Sequence, residues 1–494
     1  TKVIPSSIRF SDALKPISQS GVMRNTSVLP TTASPYKDSS ICRIPIMSQS
    51  WLDAKDAFLR FKLTNNGSAS SYLDGNAMAV IRRVTLIGPD GSQLEYLDNY
   101  NRLMNLLLDA EANVETRKGV FNALMGTSKI NTGIQIRTSA TANQLSYYLN
   151  DTFVGSHLVG GPASSIRVGD FIFSTNTTAG QIVIKSAGAS TSSTLTLGGG
   201  VASAVVNGVR FDVNSTAGQF VVNGQAITTG TAGSIAFQYM PKAPNAWTQT
   251  EVITASGSKY YSIPVPSFVL QSLKTYLPTF AIGGGGLILE ILFAPANEVF
   301  QTADGSAPAY QVDDVALITP SITYDGGVQE QFSQMVASAG SVSMSALSYQ
   351  TQVYPYASLS SGAGMSIPLS FKYQSLKSIL VAFVNNQADN STPACSARDF
   401  VNLSSIQMRI GANYYPAMAL QGSATRIGEH LSVALQGLSK LNDPRLSSLV
   451  SYDSWVNTNA GASTSFYGID LDTDQPQYYY SQSGVDLEST PQQA

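Results

Sequence analysis

The chain has 494 residues, enough for about two to four domains, and 43% of them are hydrophobic, so it can bury substantial apolar surface. Only 12% are charged, about half of the usual ~25%, and the net charge is -3. This balance argues against a protein that binds nucleic acid through bulk positive charge. The longest apolar runs fall well short of the ~20 residues of a membrane-spanning helix.

Most periodic segments of the sequence predict short strands, with few helices between them. Strands are predicted at residues 22–29, 41–47, 57–63, 80–87, 92–97, 260–265, 287–293, 316–324, 342–354, 365–371, 379–384, 403–411 and 414–420. Helices are predicted at residues 103–110, 112–125, 268–276, 331–337 and 427–438.

The first 40 residues are polar, rich in Ser, Thr and Pro, and weakly basic. Segment 1–40 is either a disordered tail or an arm that docks on a neighbouring subunit, and the sequence leaves both open. Its charge of +3, from five Lys or Arg residues against two Asp residues, is too small for an arm that condenses nucleic acid.

The segment from residue 78 to residue 108 predicts a strand, a tight turn, a second strand and a helix. Residues 89–91, Pro-Asp-Gly, supply the turn, because proline presets φ and glycine accepts a left-handed conformation. Leucines then recur at helical spacing from Leu103, with Asn99 or Asn101 as the N-cap.

The composition changes between about residues 126 and 254. Charged residues nearly vanish between His157 and Met240, where Gly, Thr, Ser, Ala and Val dominate. A short repeat lies inside, because FSTNTTAGQIVI from Phe173 recurs as FDVNSTAGQFVV from Phe211. Each copy predicts a strand end, an Asn/Thr/Gly turn and a new alternating strand. We interpret 126–254 as a β-rich insertion built of hairpins; a disordered linker is the alternative.

Elements also recur at a spacing of 323 residues. Residues 44–46, Ile-Pro-Ile, correspond to residues 367–369, Ile-Pro-Leu, and the strand that ends at Ile87 corresponds to one that ends at Ile410. A predicted helix follows each of these strand pairs. Two fused copies of one domain explain the recurrence, and chance similarity between two strand-rich halves is the alternative.

These observations predict an all-β protein of two tandem eight-stranded jelly-roll β-sandwiches, with short loop helices and a β-rich insertion in the first. The predicted boundaries are an N-terminal arm at 1–40, a first jelly roll at 41–315 that contains the β-rich insertion at 126–254, and a second jelly roll at 316–494.

The segment IRRVTLIGPDGSQLEYLDNYNRL, residues 81–103, resembles the double jelly-roll major capsid proteins of tailless icosahedral double-stranded DNA viruses. It looks most like those of polinton-like viruses, virophages and nucleocytoplasmic large DNA viruses. In that family a strand pair ending in Tyr-Asn, here Tyr100 and Asn101, runs into the helix of a long loop. Residues 465–474, SFYGIDLDTD, are similar to the end of the second roll. As architecture, the resemblance covers most of residues 20–490.

The resemblance implies a structural protein of the virion and not an enzyme. Such proteins form homotrimers, in which two rolls from each chain build a pseudo-hexagonal capsomer that tiles an icosahedral shell inside the host cell. The resemblance also implies that the insertion at 126–254 is an outward-facing tower. The implied partners are neighbouring capsomers, penton and minor capsid proteins and, through the tower, a host receptor. No direct sequence-specific nucleic acid binding is implied, because in this family a separate ATPase packages the genome.

One feature departs from the family. The first roll ends in the apolar strand 287–293, but no comparable strand follows residues 466–471. Either the chain continues beyond residue 494, or another segment closes the second sheet. The strand at 316–324 and an arm of a neighbouring subunit are the candidates, because an unpaired edge invites aggregation.

No catalytic motif, cofactor site or metal site is predicted. Cys42 and Cys395 lie far apart and are expected to be buried free thiols. The two histidines are too few for most histidine-based metal sites, and His430 is expected to pack or to face solvent. Asp470 and the two aspartates that follow at alternate positions resemble the start of a calcium loop, but the loop glycine is missing, so we interpret them as solvent-facing carboxylates.

Arg82 and Arg83 lie in an apolar strand and need partners, because an unpaired buried charge is costly. We expect a carboxylate partner across an interface or under the loop helix. Together with Tyr100 and Asn101, they are the candidate interface and structural residues.

Two other functions are compatible with a β-sandwich chain. One is a secreted or surface adhesin or carbohydrate-binding protein, with the insertion as its binding module. The other is a polysaccharide-active enzyme, which needs a pair of carboxylates facing a cleft, and the sequence offers no such pair.

Overall fold

The computed structural model of the chain describes residues 21–47, 50–112, 116, 120–126, 132–139, 144–149, 152–159, 162–169, 171–175, 181–186, 192–196, 202–206, 209–213, 219–228, 231–239, 252–273, 275–283, 285–302, 304–324, 326–340, 344, 346–355, 362–370, 373, 375–384, 395–421, 423–438, 450, 452–456 and 463–471. Residues 1–20 of the predicted arm 1–40 lie outside these ranges, as does the predicted end of the second roll after residue 471, which includes the alternating aspartates 472 and 474. The described part of the arm contradicts both alternatives, because residues 21–28 form a strand that pairs within this chain. The all-β class is confirmed.

Seven strands and two helices open the described chain. They are β1 (Gly21–Val28), β2 (Ile41–Ile46), β3 (Trp51–Leu52), β4 (Phe58–Asn65), β5 (Ser71–Leu73), β6 (Ile81–Ile87), β7 (Gln93–Asp98), α1 (Tyr100–Glu111) and α2 (Asn122–Met125). As predicted, β6, β7 and α1 form a strand–turn–strand–helix unit. Gly91 takes φ +81° in the turn, and α1 begins after Asn99, whose side chain makes no capping hydrogen bond.

The insertion forms three four-stranded antiparallel sheets, which we call the tower. Its strands are β8 (Thr132–Thr138), β9 (Gln144–Leu149), β10 (Thr152–Leu158), β11 (Ser164–Val168), β12 (Phe171–Thr175), β13 (Gln181–Ser186), β14 (Ser192–Thr196), β15 (Ala202–Val206), β16 (Val209–Val213), β17 (Gln219–Val222), β18 (Gln225–Thr228) and β19 (Gly233–Tyr239). The sheet orders are β10-β9-β8-β19, β11-β12-β13-β14 and β15-β16-β17-β18.

The short repeat appears in the tower as two hairpins with the same register. Phe173 pairs with Ile184, and Phe211 pairs with Val222 in the second copy. One aromatic ring from each sheet meets in the tower interior: the centroids of Phe171, Phe211 and Phe237 lie 5.6 to 6.1 Å apart. The tower therefore has an apolar core of its own.

The chain then returns to the part outside the tower, which we call the base. Its next elements are β20 (Val252–Ile253), β21 (Ser258–Pro264), α3 (Phe268–Ser272), β22 (Leu277–Pro278), β23 (Leu287–Phe293), α4 (Ala296–Val299), β24 (Phe300–Thr302), β25 (Tyr310–Tyr324) and α5 (Gly326–Ala339). Two sheets, β21-β4-β25-β3-β22 and β2-β23-β6-β7, enclose one apolar core as a sandwich, with β1 also paired to β25 and a small sheet β20-β5-β24 beside them.

Strand β25 corrects the position predicted for residues 316–324, which we assigned to the second roll. It pairs with β1, β3 and β4, so it belongs to the first sandwich. Val312 and Leu317 are buried there, and a bulge between Asp313 and Ala316, with Asp314 at φ +50°, resets the alternation. The alternation of apolar and polar residues shows that one face of a strand is buried. It does not show whether that face packs in the core of the first sandwich or in the core of the second.

The second half supplies β26 (Ser378–Val381), β27 (Ile406–Ile410), β28 (Asn413–Leu420), α6 (Ile427–Gly437), α7 (Tyr452–Trp455) and β29 (Tyr467–Asp470). The hairpin β27–β28 and helix α6 repeat the order of β6, β7 and α1, as the spacing of 323 residues predicts. Trp455, Phe466 and Tyr467 lie in the same buried cluster as the first sandwich, so the two halves share a core.

Two predicted strands of the second half are wrong in their described residues. Residues 346–354 of the predicted strand 342–354 and residues 365–370 of the predicted strand 365–371 form no strand. The first of these segments bonds to the first half instead of to a neighbouring strand, because the Leu347 N–H donates to Ser272 Oγ at 2.8 Å.

Candidate functional site

Arg82 lies on β6 with two carboxylates beside its guanidinium group. Its Nη1 forms an ion pair with Glu298 Oε1, and its Nε lies 3.7 Å from Asp98 Oδ1. Burial alone would lower the pKa of Arg82, but the Glu298 carboxylate outweighs that effect and raises the pKa above its ordinary value. Arg82 thus has the carboxylate partner expected from the sequence, contributed by α4.

Arg83 points to the other face of the same strand and contacts a different carboxylate. Its Nη2 lies 3.9 Å from Glu290 Oε1 on the neighbouring strand β23, and Arg43 Nε donates to the same carboxylate at 2.8 Å. The Arg83 guanidinium also lies 5.7 Å from the centre of the Tyr96 ring. Because Arg83 and Arg43 are partly exposed, we expect this pair to contribute less than a fully buried one.

Asn101 joins the first turn of α1 to the same glutamate as Arg82. Its Nδ2 donates to Glu298 Oε2 at 3.0 Å, and Arg102 Nη2 lies 3.9 Å from Glu298 Oε1. Glu298 therefore holds β6, α1 and α4 together. Glu298 was not predicted from the sequence, where the signal for it is a carboxylate placed just after the apolar strand β23.

The side chain of Tyr100 packs in the apolar core. Its ring is buried and lies 6.2 Å from the ring of Phe268, and its hydroxyl has no hydrogen-bond partner among the described residues. Burial, helped by the nearby Glu95 charge, raises the pKa of Tyr100 well above its ordinary value, so the phenol stays neutral.

Residues 395–398 of the second half bind to two aspartates of the first half. Asp74 Oδ2 accepts the Cys395 N–H at 2.8 Å, and Asp74 Oδ1 accepts the N–H of Ser396 at 3.2 Å as well as its hydroxyl. Arg398 Nη2 forms an ion pair with Asp109 Oδ2 on α1. We call these contacts the junction. None of its residues was predicted, although an aspartate inside the apolar helix α1 was a signal.

Glu95 on β7 makes a second connection between the halves. Its Oε1 accepts the N–H groups of Phe268 and Val269 at the start of α3, at 3.1 and 3.2 Å, and the Ser348 hydroxyl at 2.6 Å. The Tyr349 ring then packs against Phe268 at a centroid distance of 4.6 Å. The segment that follows α5 is therefore fixed on the first sandwich.

The tower is attached to the base through Tyr72 of β5 and Arg167 of β11. The Tyr72 hydroxyl donates to the Arg167 carbonyl oxygen and accepts the Gly169 N–H at 3.3 Å. The guanidinium of Arg167 lies 5.4 Å from the Tyr72 ring centre, and its Nη1 donates to Gln301 Oε1 of the base at 3.1 Å. These buried contacts hold the tower on the base.

Cysteine and histidine behave as predicted. Cys42 and Cys395 are buried free thiols, and burial raises the pKa of Cys42 to about 11. His430 is buried on α6, edge-on to the Tyr467 ring at 5.3 Å. In the described part of the chain, no three His, Cys, Asp or Glu residues are grouped to hold a metal ion, and no helix is long and apolar enough to span a membrane.

We expect the tower to lose stability as the pH falls from about 6.5 to about 4. His157 is buried in the tower, 3.0 Å from the Tyr147 hydroxyl, and burial lowers its pKa from 6.5 to about 4. In this window the unfolded chain binds a proton that the folded tower does not, so protonation favours unfolding. Thermal melts against pH would measure the effect, and in the control variant His157→Gln this part of the pH dependence should disappear.

Comparisons with known proteins found similarity only among solved structures. No protein-family model matches the chain, and no curated protein matches it. The chain is similar to the PBCV-1 virus capsid at 10% identity and a TM-score of 0.47, over 96% of this chain and 82% of that chain. The chain is similar to the Sputnik virophage structure at 10% identity and a TM-score of 0.39, over 96% of this chain and 82% of that chain. It is similar to the STIV major capsid protein at 12% identity and a TM-score of 0.34, over 95% of this chain and 89% of that chain. All three are structures of viruses or of viral capsid proteins.

Proposed function

We propose that the chain is a major capsid protein that forms homotrimers, and that these pseudo-hexagonal capsomers tile an icosahedral virion shell assembled inside the host cell. Its role is structural and not enzymatic. Its partners are further copies of itself, neighbouring capsomers, and penton and minor capsid proteins, with the tower available to a host receptor. The two rolls correspond to the two halves of the base, and the tower is carried by the first.

The observation that carries the proposal is the packing of the two halves against each other around one apolar core. They share an apolar core, and buried charged groups at the junction bind one half to the other. Arg82, Arg83, Tyr100 and Asn101 contribute by fixing β6 and α1 within the first half. A tile of a closed shell must keep the angle between its two rolls, and this packing supports that requirement.

Two exposed sheet edges support assembly into a ring. In the described structure β7 and β28 each pair with one strand only, and both present large apolar side chains to solvent. Tyr96 is 44% exposed and Met418 is 84% exposed. Unpaired apolar edges favour association. The edges are different surfaces of one chain, and a head-to-tail contact between such surfaces builds a ring when the rotation between copies closes and an open filament when it does not. The proposed trimer requires a threefold rotation at this contact.

Native mass spectrometry and mass photometry of the purified full chain test the proposal. We expect a species of three chain masses, and larger closed shells at higher concentration. A chain that stays monomeric at every concentration would contradict it and would favour the adhesin function.

The double variant Tyr96→Ser, Met418→Ser is expected to weaken the trimer. Each substitution removes an apolar contact from an edge, and losses above ~1 kcal/mol are confined to the minority of contacts near the centre of an interface, where the proposal places these two side chains. The trimer dissociation constant should rise about tenfold or more for a total loss of ~1.4 kcal/mol. The control is Val205→Ser on the tower strand β15, an apolar position away from both edges whose exposure of 68% lies between those of Tyr96 and Met418. Equal effects of the two variants would contradict a role for these edges.

A further inference from the structure

One face of the tower combines aromatic rings, neutral polar groups and a single positive charge. It is the outer face of the sheet β10-β9-β8-β19, and we call it the acid-free face. Side chains alternate along these strands: Ile136, Leu145 and Tyr147 are buried in the tower core, while their neighbours face outward. The outward residues include Gln135, Arg137, Gln144, Ser146, Tyr148, Phe153, Ser156 and Ser234.

Within the four described strands, the charge of this face is unbalanced. The four strands contain no Asp, Glu or Lys, and Arg137 is their only Arg. Arg137 Nε and Nη2 donate to the neutral amide oxygen Gln135 Oε1, at 3.1 and 2.8 Å, so the guanidinium is held in place and keeps its net charge. Arg210 of strand β16 differs, because its Nε donates to both carboxylate oxygens of Asp212, at 2.9 and 3.0 Å.

Two aromatic rings lie beside this charge. The Arg137 guanidinium stacks on the Tyr148 ring, 4.2 Å from its centre, and Phe153 meets Tyr148 edge-on at 5.5 Å. Phe153 is 42% exposed. An exposed aromatic ring offers a flat apolar surface to the C–H groups of a sugar ring. Gln144 and Ser156, which share a hydrogen bond of 2.7 Å, place an amide and a hydroxyl nearby.

We propose that the acid-free face binds an acidic carbohydrate, a sugar that carries a carboxylate. The aromatic rings contact the apolar side of the sugar, the amides and hydroxyls exchange hydrogen bonds with its hydroxyl groups, and Arg137 binds its carboxylate. A guanidinium fork matches a carboxylate in geometry and charge. A single cation is too little for a nucleic acid, whose binding needs several phosphate contacts.

This site goes beyond the structural role proposed above and does not depend on it. The shell proposal is judged by the mass of the assembled particles, whereas this site is judged by sugar affinity. A result against one therefore leaves the other standing.

The test is a titration of the purified full chain with 3′-sialyllactose and with lactose, its neutral counterpart, followed by saturation-transfer NMR. Galacturonic acid trimer and galactose trimer form a second pair. We expect each acidic sugar to bind at least tenfold more tightly than its neutral partner, with an affinity that falls as salt is added.

Three variants connect the binding to this face. Arg137→Gln should abolish the preference for acidic sugars, and Arg137→Lys should keep part of it, since the charge remains without the fork. Tyr148→Ala should lower the affinity for every sugar, acidic or neutral, at least fivefold. The matched control, Arg210→Gln, should bind as the unaltered chain does, because Arg210 is already paired with Asp212.

The proposal is wrong if no acidic sugar binds, or if Arg137→Gln keeps the full preference while its thermal melt is unchanged. It is also wrong if Tyr148→Ala leaves sugar binding unaltered and changes the oligomeric mass, because the face would then be a contact between copies of this chain.

Discussion

Replacing Arg398 by alanine is expected to lower the free energy of unfolding of the base by about 3–5 kcal/mol. The Arg398 and Asp109 side chains are only 4% and 5% exposed, and their ion pair joins the second half to helix α1 of the first. Removing the arginine leaves the Asp109 carboxylate buried without its cation, and the low-dielectric surroundings make that state costly. Urea denaturation followed by tryptophan fluorescence would measure the loss.

The control for this prediction is Arg426→Ala. Arg426 also pairs with a carboxylate, at 3.9 Å from Glu429, but both side chains are exposed, so the cost should stay within about 1 kcal/mol. The double variant Asp109→Leu, Arg398→Leu should recover much of the loss, because well-packed apolar residues often replace a buried ion pair without cost. Equal costs for Arg398→Ala and Arg426→Ala would show that the junction does not hold the halves together.

Local chemistry made much of the fold predictable. The Pro-Asp-Gly turn needs a left-handed glycine, and Gly91 supplies it in the hairpin β6–β7. The short repeat of the insertion carries its own turn residues, so both copies fold into hairpins of the same register. The spacing of 323 residues is upheld only in part: the hairpin β27–β28 and helix α6 occur where the first unit predicts them, but residues 367–369, the predicted counterpart of β2, form no strand.

The contacts between the halves could not be predicted from local pattern. Asp74 and Cys395 are separated by 321 residues, and nothing beside either one indicates the other. The sequence required carboxylate partners for Arg82 and Arg83, and the structure supplies Glu298 and Glu290. A need for neutralisation fixes the type of partner, but only the fold selects which carboxylate is near.

The base and the tower have separate apolar cores, so damage to one need not spread to the other. Among the described residues of the base, Tyr72 lies within the tower core and Val252 of β20 packs against it. Regions with separate cores can unfold independently, each with its own free energy. A substitution in the tower interior should therefore lower local stability and leave the assembly of the base intact.

Phe211→Ala is the substitution that tests this separation, and it should cost the tower about 3–5 kcal/mol. Phe211 is fully buried and contacts Phe171, Phe173, Phe220 and Phe237, so alanine leaves a cavity that the surrounding strands fill only in part. Hydrogen exchange should show faster exchange in β11 to β18. Exchange in β4, β23 and β25 should not change, and the mass of the assembly should be the same.

Val205→Ala is the matched control, because Val205 lies on the neighbouring strand β15 of the same sheet and is 68% exposed. It removes apolar carbon atoms from the surface and opens no cavity, so its cost should stay within ~0.5 kcal/mol. If Phe211→Ala also speeds exchange in β4 and β25, the two cores unfold together, and the contacts of Tyr72 and Arg167 couple them. If it affects neither region, the aromatic trio of the three sheets does not stabilise the tower.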